Sequence, residues 1–260
     1  MKKIAIIGAG NLGIAIVEGL IKNNAFEASQ IIATRNNLAK IEHLKNLGIT
    51  ITNDNQLAVK EADYILLCVK PFKVEEILTQ LKPHFNPNKI LISVATGISL
   101  NTYENILTDD IKIFRAMPNT AASVEEAITC ICGNNKDEEI LEEVKTIFNT
   151  IGETVIINEE LMNAATVIGA CGIAYVLRFI RAMIQGGIEI GFDNETASKI
   201  VTQTVKGAAE LLIENGLHPE AEIDKVTTPK GCTIAGLNEM EHQGFSSALI
   251  KGIKTSFDKI

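Results

Sequence analysis

A short apolar run, Ile4-Ala5-Ile6-Ile7, stops at Gly8-Ala9-Gly10-Asn11-Leu12-Gly13, and the apolar period changes there. Downstream, Ile14, Val17, Leu20 and Ile21 recur at helical spacing, with Glu18 and Lys22 among the residues between. A buried strand, a glycine turn and an amphipathic helix thus follow one another within about twenty residues. Each glycine has its own task. Gly8 permits the turn out of the strand, Gly10 lets a pyrophosphate approach the backbone, and Gly13 lets the helix pack close to the sheet. The helix start then offers unpaired N–H groups and a positive dipole end to phosphate. Lys2 and Lys3 ahead of an apolar stretch imitate a secretory leader. Three glycines, Asn11 and Glu18 interrupt that stretch and no small-residue cleavage site follows, so a leader is not expected.

The strand–helix alternation continues. Strands are expected at Gln30–Thr34, Ile49–Ile51, Ala62–Val69, Lys89–Val94, Ile111–Ala116, Ala127–Cys132 and Thr154–Ile157. Helices are expected through Leu38, Ile41, Leu44 and Leu47 up to Gly48, through Val74, Ile77, Leu78 and Leu81, and from about Lys136 to Asn149. Continuous apolar strands in repeated β-α units imply a doubly wound parallel sheet covered on both faces. Near Asn158 the strand signal ends. Glu159–Gly191 reads as one long helix, Asn194–Asn215 as another, and two shorter helices close the chain around His242-Gln243-Gly244. The expected organisation is an α/β domain over 1–157 and an all-α domain over 158–260. The helices carry more apolar surface than a bundle of their size needs, which points to a dimer.

Composition closes off other classes. A net charge of −8 argues against general affinity for nucleic acid or an anionic membrane surface. No apolar run free of charges and glycines reaches the ~18 residues of a membrane span. The cysteines (Cys68, Cys130, Cys132, Cys171, Cys232) are scattered, and Cys130 and Cys132 fit strand alternation better than a zinc site, so no metal is expected. Reduced thiols in a cytoplasmic protein are the plain reading.

Cofactor choice turns on the end of the second strand. An NAD site there carries an acid that bonds the ribose 2′-hydroxyl. Here the chain reads Thr34-Arg35-Asn36-Asn37. A guanidinium suits a 2′-phosphate, so Arg35 favours NADP(H), with NAD(H) as the alternative and a solvated surface arginine as the plain reading. Lys70, in Val69-Lys70-Pro71, follows another strand, where ligands of open α/β sheets bind, or it simply faces solvent. Arg115-Ala116-Met117-Pro118-Asn119-Thr120 has the same topological claim and no role legible from spacing.

These motifs, in order, resemble the pyrroline-5-carboxylate reductase family. The resemblance rests on IGAGNLG at Ile7–Gly13, Thr34-Arg35, CVKP at Cys68–Pro71 and MPNT at Met117–Thr120. It continues with AATVIGACGIAY at Ala164–Tyr175, His218-Pro219 and VTTPKGCTIAGL at Val226–Leu237. It implies a Rossmann-type nucleotide domain, a helical domain that dimerises by intertwining, and NAD(P)H-dependent reduction of a cyclic imine, 1-pyrroline-5-carboxylate, to proline. By matched position, Gly8, Ala9, Gly10, Asn11, Leu12 and Gly13 would hold the pyrophosphate and Arg35 the 2′-phosphate. Asn55, Val69, Lys70 and Pro71 would flank ribose and nicotinamide. The substrate would lie between Glu159, Thr166 and the turn Gly231-Cys232-Thr233, with Thr233 bonding the ring nitrogen. Pro229 and Gly231 precede an apparent helix start, which independently suits a carboxylate. The plain reading of Thr233 is a helix cap. His218, beside Pro219, marks a turn rather than a base.

The chain departs from the family on the substrate side. The family reads SGSGPAY where this chain has Gly169-Ala170-Cys171-Gly172-Ile173-Ala174-Tyr175, and PGGTT or PGGAT where it has Pro229-Lys230-Gly231-Cys232-Thr233. Lys225 stands where asparagine or arginine is common, and Ala121 replaces the proline after MPNT. Two alternatives follow: a reductase of a different cyclic imine, with Lys230 meeting a new acidic group, and a non-catalytic NADP-binding regulator. A β-hydroxyacid dehydrogenase is disfavoured, because its lysine motif is not evident.

Overall fold

The computed structural model describes residues 1–108, 110–135 and 137–260. Lys136, where the charged helix was expected to begin, lies outside them. The chain divides into two compact units, Met1–Ala170 and Cys171–Lys259. That division falls beyond the 157/158 boundary expected from composition because the first helical turns are anchored in the first unit. Met162, Thr166 and Val167 are buried, and Glu159 is paired with Arg115.

In the first unit, β1 (Ile4–Ile7), β2 (Ile31–Thr34), β3 (Thr50–Thr52), β4 (Tyr64–Leu67), β5 (Ile90–Ser93), β6 (Lys112–Met117), β7 (Ala127–Gly133) and β8 (Gly152–Ile156) form one sheet. Its order is β3-β2-β1-β4-β5-β6-β7-β8. Successive β1 side chains go to opposite faces. Ile4 and Ile6 join one apolar cluster, and Ala5 and Ile7 the other. The helices are α1 (Asn11–Lys22), α2 (Asn55–Glu61), α3 (Val74–Leu81), α4 (Leu100–Ile106) and α5 (Glu138–Asn149). Ile16 and Leu20 of α1 and Phe148 of α5 fill the first cluster, while Val59, Leu78 and Tyr103 of α2, α3 and α4 fill the second. Burial on both faces is why these strands read as unbroken apolar runs.

The expected parallel sheet holds through six strands and changes at one end. Pairing is parallel from β3 through to β6, but β7 runs antiparallel to β6 and β8 parallel to β7. Between β6 and β7 the chain has only a short 3-10 segment, Thr120–Val124. A parallel return needs a crossover of roughly a dozen residues or more, so the chain doubles back. A second difference concerns Leu38–Leu47, which is a 3-10 helix closed by Gly48 at φ 88. Leu38, Ile41, Leu44 and Leu47 recur every third residue, and the repeat of a 3-10 helix is about three.

From Glu159 the backbone is helical but not uniform. A 3-10 turn (Glu159–Leu161) leads into α6 (Met162–Ala165), a π-helical turn (Thr166–Cys171) and α7 (Gly172–Glu189). The second unit continues with α8 (Asn194–Asn215), α9 (Pro219–Val226), α10 (Cys232–His242) and α11 (Phe245–Phe257). Asp193 caps α8 by accepting the N–H groups of Glu195 and Thr196, and Gly216 ends it at φ 60. His218 Nδ1 accepts the Glu220 N–H at the start of α9, in keeping with its reading as a turn residue. Within this unit only Ala197 and Val201 are buried. Ile190, Ile213 and Ile250 are 80%, 74% and 65% exposed, far more apolar surface than a folded helical unit leaves open.

By its length and by the mean hydropathy (1.8) of its most apolar 18 residues, Glu159–Glu189 also meets the measure of a membrane-crossing helix. The sequence expectation stressed interruptions, and Gly169, Gly172, Arg178 and Arg181 do interrupt it.

Candidate active site

The strand order makes β1 the switch point. The chain leaves β1 towards β2 and β3, then returns to the other side of β1 as β4. Ligands of open α/β sheets bind in the crevice this creates beyond the carboxyl ends of the strands. A cleft of about 750 Å³ occupies that position. Gly10, Asn11, Leu12 and Gly13 form one wall and Val69, Lys70 and Pro71 another.

The glycine turn divides its labour more finely than the motif alone tells. Gly8, at φ 92, donates to Thr34 Oγ1 (3.2 Å), and Ala9 donates to the Thr34 carbonyl (2.7 Å). The Gly10 N–H is turned back to the Gly8 carbonyl (2.7 Å). Those three donors are spent inside the protein. The first helical bond runs from Ile14 N–H to the Gly10 carbonyl, and α1 has no side-chain cap. The N–H groups of Asn11, Leu12 and Gly13 are therefore the ones left for an anion. A Cβ on Gly8 would meet the Cys68 carbonyl oxygen at 2.8 Å, and one on Gly13 would meet Ile6 Cγ2 at 3.2 Å. The turn can sit this close to β4 and the sheet only with glycine at both places.

Arg35 is half-buried, and its Nη1 donates to the Ala9 carbonyl at 2.9 Å. The guanidinium is thus tethered to the glycine turn, with its remaining donors available to an anionic group. Asn55 is the first residue of α2, where Asp54 caps the helix through the Gln56 and Leu57 N–H groups; Asn55 does not line the cleft. Cys68 does, and desolvation pushes its thiol up to about 12, so it stays a neutral wall rather than a nucleophile.

Glu159 and Thr166 are engaged in the fold. Oε1 of Glu159 accepts from Arg115 Nη1 (2.7 Å) and from the Leu100 N–H (2.6 Å). The hydroxyl of Thr166 returns to the Met162 carbonyl (2.9 Å). Sequence reasoning gave no role to other parts of the cleft: Val94, Ala95 and Thr96 after β5, Pro118–Thr120, Ala122 and Ser123 after β6, and Ala170. The signal available for them was position, since each of the first two groups follows the carboxyl end of a strand.

In the second unit, Gly231 is the N-cap of α10 and no side chain caps that helix. Thr233 is therefore not the cap; the residue is partly buried, and among the described residues its hydroxyl has no hydrogen-bond partner. Cys232 is exposed. A Cβ on Gly231 would meet Thr228 Oγ1 at 2.6 Å, which keeps the turn tight. Lys230 sits at φ 63 in the left-handed region, which favours glycine. Lys225 is paired with Glu222 at 2.8 Å.

Comparison with known proteins decides the family. The family model described as pyrroline-5-carboxylate reductase dimerisation matches residues 159–260. One described as NADP oxidoreductase, coenzyme F420-dependent, matches residues 3–97. Pyrroline-5-carboxylate reductase 2 of Dictyostelium discoideum is 43% identical, over 99% of this chain and 92% of the relative. The chain belongs to the pyrroline-5-carboxylate reductase family. Reductase 1 of the same organism is 46% identical over 98% of this chain, which spans 49% of that longer relative. The solved pyrroline carboxylate reductase of Plasmodium falciparum, with NADP bound, superposes at a TM-score of 0.88 with 27% identity, covering 99% of this chain and 96% of that one.

Proposed function

We propose that this member of the pyrroline-5-carboxylate reductase family reduces 1-pyrroline-5-carboxylate to L-proline with NADPH, the last step of proline synthesis. The observation that carries the reading is 43% identity to a curated reductase across 99% of the chain. The cleft is of the right kind for a dinucleotide, and NADP is bound in the Plasmodium relative. The free N–H groups of Asn11, Leu12 and Gly13 suit a pyrophosphate, and the guanidinium of Arg35 suits a 2′-phosphate. Gly8 and Ala9 serve by shaping the turn, and Gly10 by bringing the backbone close. Asn55, Val69, Lys70 and Pro71 are read as flanking ribose and nicotinamide. NAD(H) is the weaker alternative, because no acid stands at the end of β2.

When bound, the cofactor supplies the hydride for the imine carbon. The chain's own residues orient the imine and deal with its nitrogen. Thr233, with an unspent hydroxyl on the first turn of α10, is read as the group that hydrogen-bonds the ring nitrogen and relays a proton. The N–H groups of Cys232 and Thr233 are read as holding the carboxylate, and Gly231, whose own N–H is spent on the Thr228 carbonyl (2.9 Å), as shaping the turn. Thr166 and Glu159 are read as shaping the substrate side, Glu159 through its ties to Arg115 and Leu100. Positioning supplies most of the acceleration, since no strong acid or base is needed.

The helical unit, with its two buried side chains, supports a homo-oligomer, and we read it as a dimer that can assemble further. The dimerisation match from residue 159 supports a domain boundary at 157/158. We also read the apolar stretch Glu159–Glu189 as facing a partner copy rather than lipid, because it falls in that match and carries Arg178 and Arg181. Five free thiols support a cytoplasmic setting.

The test is NADPH oxidation by purified protein with pyrroline-5-carboxylate beside larger and smaller cyclic imines. Turnover on a larger imine alone would assign Lys230 and its neighbours a different substrate. NADPH binding with no turnover would make the protein a regulator. Thr233→Val should lower turnover at least about tenfold with NADPH affinity unchanged, whereas equal loss of both would remove its assigned role.

A further inference from the structure

Asn119 is a buried polar residue in the cleft wall, 8% exposed, and both ends of its amide are used. Oδ1 accepts the Ala121 N–H (3.0 Å) and caps the 3-10 segment after β6. Nδ2 donates to the carbonyl of Gly169 (3.0 Å). Gly169 lies in the π-helical turn Thr166–Cys171, and its neighbour Ala170 is itself part of the cleft wall.

A π turn widens the helix by one residue and weakens its internal bonding, so it persists only where something holds it. In an ordinary α-helix the donor to the Gly169 carbonyl would be the N–H of residue 173. In the family motif SGSGPAY that residue is a proline, which has no N–H and cannot make that bond. Here it is Ile173, whose N–H leaves the turn free to tighten. Asn119 competes for that carbonyl by donating to it from outside the helix. Tightening by one residue would rotate Ala170 by about 100° relative to the turn before it and carry it off the cleft wall. The stretch before it cannot follow, being anchored by the buried side chains of Met162 and Val167 and by Glu159 on Arg115.

We propose that Asn119 is a positioning residue that holds the Thr166–Cys171 turn in its π form by its bond to the Gly169 carbonyl. The consequence for turnover rests on the reductase reading; the consequence for the turn does not.

The experiment compares wild type with Asn119→Ser, alone and combined with Ile173→Pro. Serine keeps a capping acceptor for Ala121 but is too short to reach Gly169. Hydrogen–deuterium exchange of the free protein over 166–173 reports the turn, and steady-state kinetics with NADPH and the cyclic imine report its effect. Asn119→Ser should change exchange in that segment about tenfold, leave β1 and β4 unchanged, and lower kcat about tenfold with the NADPH Kd unchanged. Adding Ile173→Pro should restore most of the lost kcat and the wild-type exchange. Unchanged exchange in Asn119→Ser, or a kcat loss that Ile173→Pro does not restore, overturns the proposal. If wild type turns over no imine, the reductase reading fails and exchange alone decides this one. Asn119→Asp, which keeps the cap and places a charge against the carbonyl, is the second variant should serine fail to fold, with the same expected outcome.

Discussion

Nη1 of Arg35 lies 2.9 Å from the carbonyl oxygen of Ala9, so the cation at the end of β2 is fastened to the turn at the end of β1. Two neighbouring strands thereby bring a guanidinium and a glycine turn to one corner. Arg35→Ala should weaken NADPH about 10- to 100-fold, the range for losing charge-assisted hydrogen bonds, and NADH by less than about threefold. Titration calorimetry with both nucleotides measures it. Equal weakening would mean that the arginine serves the turn and not the 2′-phosphate.

Glu159 separates structural from substrate roles. Arg115 is almost fully buried, and its Nε bonds no protein atom. Glu159→Gln would leave that guanidinium uncompensated. A buried pair broken in this way costs about 3–5 kcal/mol. The Glu159 side chain is 34% exposed, so about 1–3 kcal/mol is expected after solvent screening. Denaturant melts should show that loss with KM for the imine little changed. A raised KM at unchanged stability would instead place Glu159 against substrate.

Lys230 holds a backbone conformation that costs a side-chain-bearing residue roughly 1–2 kcal/mol. Glycine removes that strain but adds unfolded-state entropy. Lys230→Gly should therefore stabilise by about 0.5–1 kcal/mol and raise Tm by about 1–4 °C. Calorimetry decides, and an unchanged or lower Tm would mean that the ammonium makes a compensating contact.

The pole of the sheet away from the cleft carries a titrating cluster. Tyr64 donates to Glu143 Oε2 (2.6 Å), and the Lys2 ammonium bonds both. Burial alone would push the Glu143 carboxyl up, but the bonds from Lys2 and Tyr64 outweigh it and hold it below the ordinary carboxylate value. A group depressed on folding stabilises above its unfolded pKa and loses that contribution as pH falls through the folded one. Tm measured from pH 6 downwards should fall more steeply for wild type than for Glu143→Gln. Parallel curves would show that the cluster contributes nothing.

Much of this was readable from the chain. The glycine turn, the apolar strands and the cation at Arg35 each answer to a local rule, and each lies where that rule puts it. The reversal of β7 answered to a length, Pro118–Glu126, that had to be compared with the reach of a crossover. The 3-10 form of Leu38–Leu47 was written in a three-residue repeat that a helical reading absorbed too readily. Asn119 was out of reach for a different reason. Its partner is a backbone carbonyl fifty positions away, and carbonyls leave no trace in a sequence.

The second unit keeps just Ala197 and Val201 from water. Two fully buried side chains contribute little against the chain entropy of five helices, so a homo-oligomer that covers the apolar faces adds to their stability by mass action. Dilution then weakens that contribution, and the melting point of the helical half should rise with protein concentration.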